Sequence, residues 1–225
     1  MKISVIIPVH NLQNEISACL DSIYAQNFDR GEYEILLVLD SVTDDSEQVI
    51  KAWQSARVGV NLRLFYTQCH SAGGARNVGL DNARGQYVVF VDGDDYLMDN
   101  SAFAIICNAI SGHNAVRVTM HKFSDPRGDF SNRLTMWLHV FSRELIGETR
   151  FCDYLLINED FDFVKRVRAK TGYDEALINV PLYFYNFDYG RMVERIGKVI
   201  RISCQREAQG LPPVGVSDEF SRKVR

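Results

Sequence analysis

The stretch GGARNVGLDNARGQYVVFVDGDDY, Gly73 to Tyr96, decides the architecture. It reads as a Gly-rich turn carrying Arg76, a short amphipathic segment, a buried-type strand over Tyr87 to Val91, and then Asp92, Asp94 and Asp95. Carboxylates crowded at the end of an apolar strand repel one another and are costly to hold close without a cation. In an α/β sheet that strand end is where ligands sit. Oxygen-only ligands, without His or Cys, favour Mg2+ or Mn2+, ions that commonly bind together with substrate phosphates. The stretch therefore points to a metal-diphosphate site. Asp-Gly-Asp-Asp is also a good turn in its own right, so the rest of the chain has to weigh one reading against the other.

Upstream, ISVIIPV (Ile3 to Val9) is a nearly continuous apolar run rich in β-branched residues, as expected of a parallel strand buried on both faces. His10 and Asn11 follow, and Leu12, Ile16, Leu20 and Ile23 recur at helical spacing with Asn11 as the expected N-cap. EILLVL (Glu34 to Leu39) repeats the strand pattern and ends on Asp40, and Asp44 to Glu47 reads as a capping-box-like helix start. A third strand is expected at Leu62 to Tyr66. Strands alternating with helices predict an α/β fold with a mostly parallel sheet flanked by helices. His10, Asn11, Asp40 and Asp92 should then converge on one sheet edge.

Downstream, Asn100 or Ser101 is placed to cap a helix over Ala102 to Ile110, Ala115 to Phe123 alternates as a strand, and Ser124 to Asn132 is turn-rich. A helix is expected to start near Asn158, with Glu159 and Asp160 in its first turn and Phe163, Val164 and Val167 at core spacing. ALINVPLYFYNF (Ala176 to Phe187) reads as an edge strand because of Pro181. From Arg191 the pattern is that of a basic amphipathic helix. Met192, Val193, Ile196, Val199 and Ile200 share one face, and Arg191, Arg195, Lys198 and Arg201 the other. It suits a packed surface helix or peripheral attachment to a membrane through 191–206; the residues beyond are expected to fray.

A chain of 225 residues fits a single domain with a large core, and its net charge of −4 argues against a nucleic-acid partner. Cys19, Cys69, Cys107, Cys152 and Cys204 show no metal-binding spacing and read as free thiols in a reducing compartment. MKISVIIPV is too short and too β-branched for a signal peptide, and no stretch approaches a membrane span. A cytoplasmic location, including the inner face of the cytoplasmic membrane, is the expectation.

Four features now stand in one order: SVIIPVHN (Ser4 to Asn11), EILLVLDSVTDDS (Glu34 to Ser46), the Gly73 to Tyr96 stretch, and NEDFDF (Asn158 to Phe163). Together they resemble the family 2 glycosyltransferases, inverting enzymes with the Rossmann-like GT-A nucleotide-diphospho-sugar fold. The resemblance implies a domain over 1–190, with a nucleotide-sugar half at 1–98 and an acceptor half at 99–190, followed by the helix and tail at 191–225. It implies donor contacts from Pro8, His10 and Asn11 at the base, and from Asp40, whose preceding acid and following Gly are here Leu39 and Ser41. Asp44 matches an acid that caps the next helix.

Arg76 matches an arginine whose fork suits a nucleotide or phosphate oxygen, the other reading being an ion pair with a nearby acid. Asp92, Gly93 and Asp94 resemble the DxD motif of the donor site, with Asp94 the metal ligand and Asp92 shared between metal and ribose; Asp95 supports the turn. Asp160 resembles the catalytic base, while the pair Glu159-Asp160 also simply suits a helix N-terminus. Trp137 and Phe141 to Glu144 resemble a segment lining the acceptor, and Arg191 offers a contact to the diphosphate. The interval from Asp94 to Asp160 is shorter than is common in the family.

The activity so implied is hexosyltransferase-type. With Mn2+ or Mg2+, a sugar moves from a nucleoside diphosphate donor, most simply a UDP-sugar, to a hydroxyl of a glycan or lipid-linked glycan in cell-surface glycan biosynthesis. The alternative is a catalytically degenerate module that binds nucleotide-sugar or glycan. A nucleotidyltransferase is disfavoured, because PVHNLQNE (Pro8 to Glu15) lacks a Gly-rich basic phosphate loop. Tyr183, Phe184 and Tyr185 suit core packing better than a sugar platform.

Overall fold

The computed structural model describes residues 1–122, 139–152, 155–186, 189–209 and 215–216. Its strands are β1 (Ile3–Val9), β2 (Tyr33–Asp40), β3 (Leu62–Thr67), β4 (Tyr87–Phe90), β5 (Tyr96–Leu97), β6 (Ala115–Lys122), β7 (His139–Ser142), β8 (Leu155–Ile157), β9 (Glu175–Tyr185) and β10 (Gly215–Val216). The helices are α1 (Ile16–Tyr24), α2 (Ser46–Ser55), α3 (Ala72–Asn82), α4 (Ala102–Ala109), α5 (Arg143–Ile146), α6 (Glu159–Arg168) and α7 (Tyr189–Ala208).

One mixed sheet runs β3-β2-β1-β4-β7-β6-β9-β5. Its first four strands are parallel, with Ile3 of β1 opposite both Tyr33 and Tyr87. β7 is antiparallel to β4 and β6, while β6 and β9 run parallel. The expected parallel sheet thus describes the first half, and the second half is mixed. Alternation along β1 splits the core. Ile3, Val5, Ile7 and Val9 face α1, α2 and α4 in one cluster, whereas Ile6 joins Leu80 of α3 and Phe163, Val164 and Val167 of α6 in the other. Each such side chain, fully buried, contributes about 1.5–3 kcal/mol of transfer free energy. Both faces of β1 are therefore sealed, and ligands are left with its end.

The structure departs from the sequence expectations at several points. Asn11 is no N-cap: α1 begins at Ile16 after Glu15, and Asn11 instead exchanges hydrogen bonds with Thr43 (Asn11 Nδ2 to Thr43 Oγ1 3.0 Å, Thr43 N to Asn11 Oδ1 2.8 Å). Gly73 and Gly74 lie inside α3 rather than in a turn, because Ser71 caps that helix by accepting from Gly74 N at 3.0 Å. β9 is an edge strand only in part: it pairs with β6 along its length, and among the described residues β5 covers its other side only at Tyr183 and Phe184. Pro181 is accommodated because it sits at a register shift opposite Thr119, beyond the reach of the two-residue β5.

The sheet is also joined at its far end by a buried polar cluster. Glu34 accepts from Ser4 Oγ (2.8 Å) and Arg84 N (2.7 Å) and pairs with Arg63 (3.0 Å), which ties the α3–β4 connection to β1 and β2. The expected C-terminal helix is present as α7, with Val199 buried and Val193 and Ile200 exposed. The tail beyond it differs from a frayed end at two residues, since Gly215 and Val216 pair with β8. No helix among the described residues is long and apolar enough to cross a membrane. Residues 124–132, Trp137 and Phe187–Asp188 lie outside the described residues.

Candidate active site

Among the described residues, four other than glycine hold a left-handed backbone: Asn11, Ser41, His70 (each φ 52°) and Asn158 (φ 62°). They follow β1, β2, β3 and β8 respectively, the last directly before α6. Holding non-glycine residues there costs about 1 kcal/mol or more apiece, and such strain clusters where geometry is set for ligands. The C-terminal edge of the parallel strands is thus the candidate site.

The loops after β1 and β2 are laced together at that edge. His10 Nδ1 lies 2.8 Å from the Asp40 carbonyl oxygen. A carbonyl only accepts, so Nδ1 carries the proton and Nε2 of the neutral ring is the acceptor. Leu12 N donates to Ser46 Oγ (2.7 Å) and Gln13 N to Asp44 Oδ2 (3.1 Å). Asp44 also accepts from Ser46 N (3.0 Å). Desolvation raises its carboxyl, but these bonds, with one from the Ser46 hydroxyl, together outweigh it and leave the carboxyl below the usual carboxylate range. Asp40, buried, accepts from Ser71 N (2.8 Å), His70 N (3.0 Å) and Ser41 Oγ (3.0 Å). Three of roughly four acceptor positions on this carboxylate are therefore taken by its own loops. Asp40 thereby anchors the β3–α3 connection.

The acidic turn after β4 is held from beneath. Gly93 is pressed on the exit of β1, where a Cβ would stand 2.7 Å from Leu12 Cδ1 and 3.3 Å from the Pro8 carbonyl oxygen. The Tyr183 hydroxyl accepts from Asp92 N (3.1 Å) and donates to Asp95 Oδ2 (2.6 Å), while Asn186 N donates to Asp95 Oδ1 (2.8 Å). Burial, and then repulsion from Asp92 and Asp94, pushes the Asp95 carboxyl up to about 9. The same burial and the three acids raise the thiol of Cys19 below the turn, leaving it inert. Asp95 is thus a support, while Asp92 and Asp94 are both partly exposed.

Arg76 joins this turn to α6. Its terminal nitrogens lie 2.6 Å from Asp92 Oδ1 and 3.0 Å from Glu159 Oε1. Both Arg76 and Glu159 are buried, and the guanidinium lies over the Phe151 ring at 5.6 Å. Burial alone would lower the Arg76 pKa; attraction to Asp92 and Glu159 outweighs it, and the pKa is raised. Among the described residues the Arg76 Nε–H finds no acceptor. Gly73 makes the approach of α6 possible, since a Cβ there would sit 3.0 Å from Phe151 Cβ and 3.3 Å from Glu159 Cγ. Asp160 is next in sequence, in the first turn of α6. Burial, then Glu159, pushes its carboxyl up to about 6 against the pull of Arg76.

Of the residues singled out in the sequence, Pro8, His10, Asn11, Asp40, Asp92, Gly93 and Asp94 lie along one edge, and Arg76 ties Asp92 to the helix of Asp160. Of the two sequence readings of Arg76, the ion pair is the one occupied here. Three residues escaped sequence reasoning: Ser71, Tyr183 as the clamp of Asp95, and Glu159 as the partner of Arg76. The donor chemistry fits Mg2+ or Mn2+: hard carboxylate oxygens, and among the described residues no cluster of three or more His, Cys, Asp or Glu that would complete a protein-only shell. The rest of the shell would have to come from a diphosphate and water.

This is the arrangement of a GT-A fold, and the comparisons agree. The sequence profile of glycosyl transferase family 2 matches residues 4–166. The chain belongs to glycosyl transferase family 2. It is 36% identical over 232 residues to the poly(ribitol-phosphate) beta-N-acetylglucosaminyltransferase TarS of Staphylococcus aureus, covering 97% of this chain and 38% of that protein. It superposes on the crystal structure of S. aureus TarS 1-349 in complex with UDP with a TM-score of 0.72 at 23% identity, over 87% of this chain and 63% of that one. The mannosyltransferase PcManGT from Pyrobaculum calidifontis, in complex with GDP-Man and Mn2+, gives 0.72 at 21%, over 89% and 64%. The chain thus spans less than half of the TarS relative.

Tyr183→Phe leaves Asp95 without its hydroxyl donor and Asp92 N without its acceptor. The expected cost is about 1–3 kcal/mol, read as a lowered midpoint in urea unfolding with an unchanged m-value. An unchanged midpoint would remove Tyr183 from the support of the turn.

Proposed function

We propose that this protein transfers a sugar from a nucleoside diphosphate donor, UDP-linked, to a hydroxyl of a cell-surface glycan, with inversion at the anomeric carbon. The observation that carries this reading is the junction at one sheet edge of the base-side loops, the Asp92–Asp94 turn and Asp160, tied through Arg76. UDP is favoured by the TarS relative, solved with UDP and with UDP-GlcNAc. The glycan acceptor is favoured by the activity named for that relative. Work at the cytoplasmic face, where the donor would be met, belongs to the same reading.

In this mechanism the His10 and Asp40 loops bind the base, and Asp94 with Asp92 are the residues that would hold Mg2+ or Mn2+, which when bound offsets the charge growing on the departing diphosphate. Asp160 accepts the acceptor hydroxyl proton as the new oxygen–carbon bond forms and the bond to the diphosphate oxygen breaks. A carboxyl with a pKa near 6 suits this task, because it is ionised at neutral pH yet more basic than an ordinary aspartate.

Calorimetric titration with UDP, and with GDP and CDP as controls, tests the donor site. Binding of UDP that requires Mn2+ and is lost in Asp94→Asn is expected; no nucleotide binding under any condition would reject the site. The base is tested by turnover, scored as donor hydrolysis or transfer. The rate should climb with pH through a midpoint near 6 as Asp160 loses its proton, then level. Asp160→Asn should cut the rate about 100- to 10,000-fold without abolishing UDP binding. Binding without turnover in wild type as well would favour a degenerate binding module.

A further inference from the structure

Arg76 is a buried cation with two carboxylate partners on two different elements. Asp92, at the end of β4, is partly exposed, and its side chain retains 25% of its accessible surface. Glu159, at the head of α6, is sealed, with 4%. Asp92 is also one of the two acids that a divalent cation would take in the proposed donor site. A cation drawn to Asp92 and the guanidinium already on it therefore compete for one carboxylate.

We propose that Arg76 is the resident counter-ion of Asp92, and that Glu159 is a positioning residue that keeps Arg76 paired when a divalent cation takes Asp92 over; this rests on the donor-site reading above. Without Glu159, giving up Asp92 would leave the buried guanidinium with no carboxylate bonded to it among the described residues, and a poorly compensated buried charge is among the costliest defects a protein can hold. With Glu159 in place the exchange leaves Arg76 anchored at 3.0 Å and over Phe151. Because Glu159 opens α6 and Asp160 follows it, the same bond fixes the helix turn that carries the base.

Two isosteric neutralisations separate this role from general electrostatics. Glu159→Gln and Asp160→Asn each remove one negative charge from adjacent positions of the same helix turn, and only Glu159 is bonded to Arg76. Calorimetric titration of Mn2+ in the presence of UDP reads the difference directly, with thermal unfolding of each variant as the check on folding.

Glu159→Gln should weaken Mn2+ binding about tenfold or more, and Asp160→Asn should change it by no more than about threefold. Glu159→Asp, which retains the counter-charge, should stay within about threefold of wild type and recover turnover that Glu159→Gln loses. Equal losses in Glu159→Gln and Asp160→Asn would mean that charge alone matters and overturn the coupling, as would equal losses in Glu159→Gln and Glu159→Asp, which would mean packing. Absence of Mn2+-dependent UDP binding in the wild type would overturn the donor site and this inference together.

Discussion

The buried ion pair of Arg76 is the constraint on which the two halves of the site depend. A guanidinium removed from water is tolerated only where carboxylates and ring faces replace its hydration. Here Asp92 comes from the end of the parallel sheet, Glu159 from the head of α6 and Phe151 from between. Breaking a buried pair typically costs about 3–5 kcal/mol, far more than an exposed salt bridge contributes. The contact therefore fixes the distance between the acidic turn and the head of α6 more firmly than the short loops around it could.

The apolar packing beneath is organised to support that one cation. Phe151 stacks on Phe163 of α6 with centroids 4.0 Å apart, Phe90 of β4 meets both rings edge-on, and Phe141 of β7 meets Phe163 edge-on. α6 is thus nailed to the sheet by aromatic contacts a few residues after Glu159. On the other face, Tyr183 and Asn186 hold Asp95 and, through it, the turn. Asp95 carries the desolvation, so Asp92 and Asp94 remain free of that task and partly exposed.

Much of this was legible in the sequence, for identifiable reasons. β1 and β2 are buried on both faces, so their apolar runs are nearly continuous, broken by Ser4 and Glu34 alone within Ile3–Val9 and Tyr33–Leu39, and their boundaries nearly coincide with the hydrophobicity. The acids at the strand ends stood out because nothing apolar explains them. What stayed hidden depends on partners distant in the chain. Asn11 has the right chemistry for a helix cap, yet Thr43 in the next loop claims its side chain. Gly73 and Gly74 suggest a turn, but Ser71 caps a helix there, and Gly73 is small so that Phe151 and Glu159 can close on α3. Pro181 signalled an edge and sits on one, but the two-residue β5 that covers Tyr183 and Phe184 beyond it left no mark in its neighbours. Glu159 looked like a helix-dipole acid, and only the fold shows it 3.0 Å from Arg76.

The measurement that tests this account most directly is a crystal structure of the protein with UDP and Mn2+. The expected result has Mn2+ on Asp94, Asp92 and the diphosphate, the nucleotide base beside His10 and Asp40, and Arg76 still bonded to Glu159. A nucleotide bound elsewhere, or Arg76 turned away from Glu159 with the site filled, would contradict it.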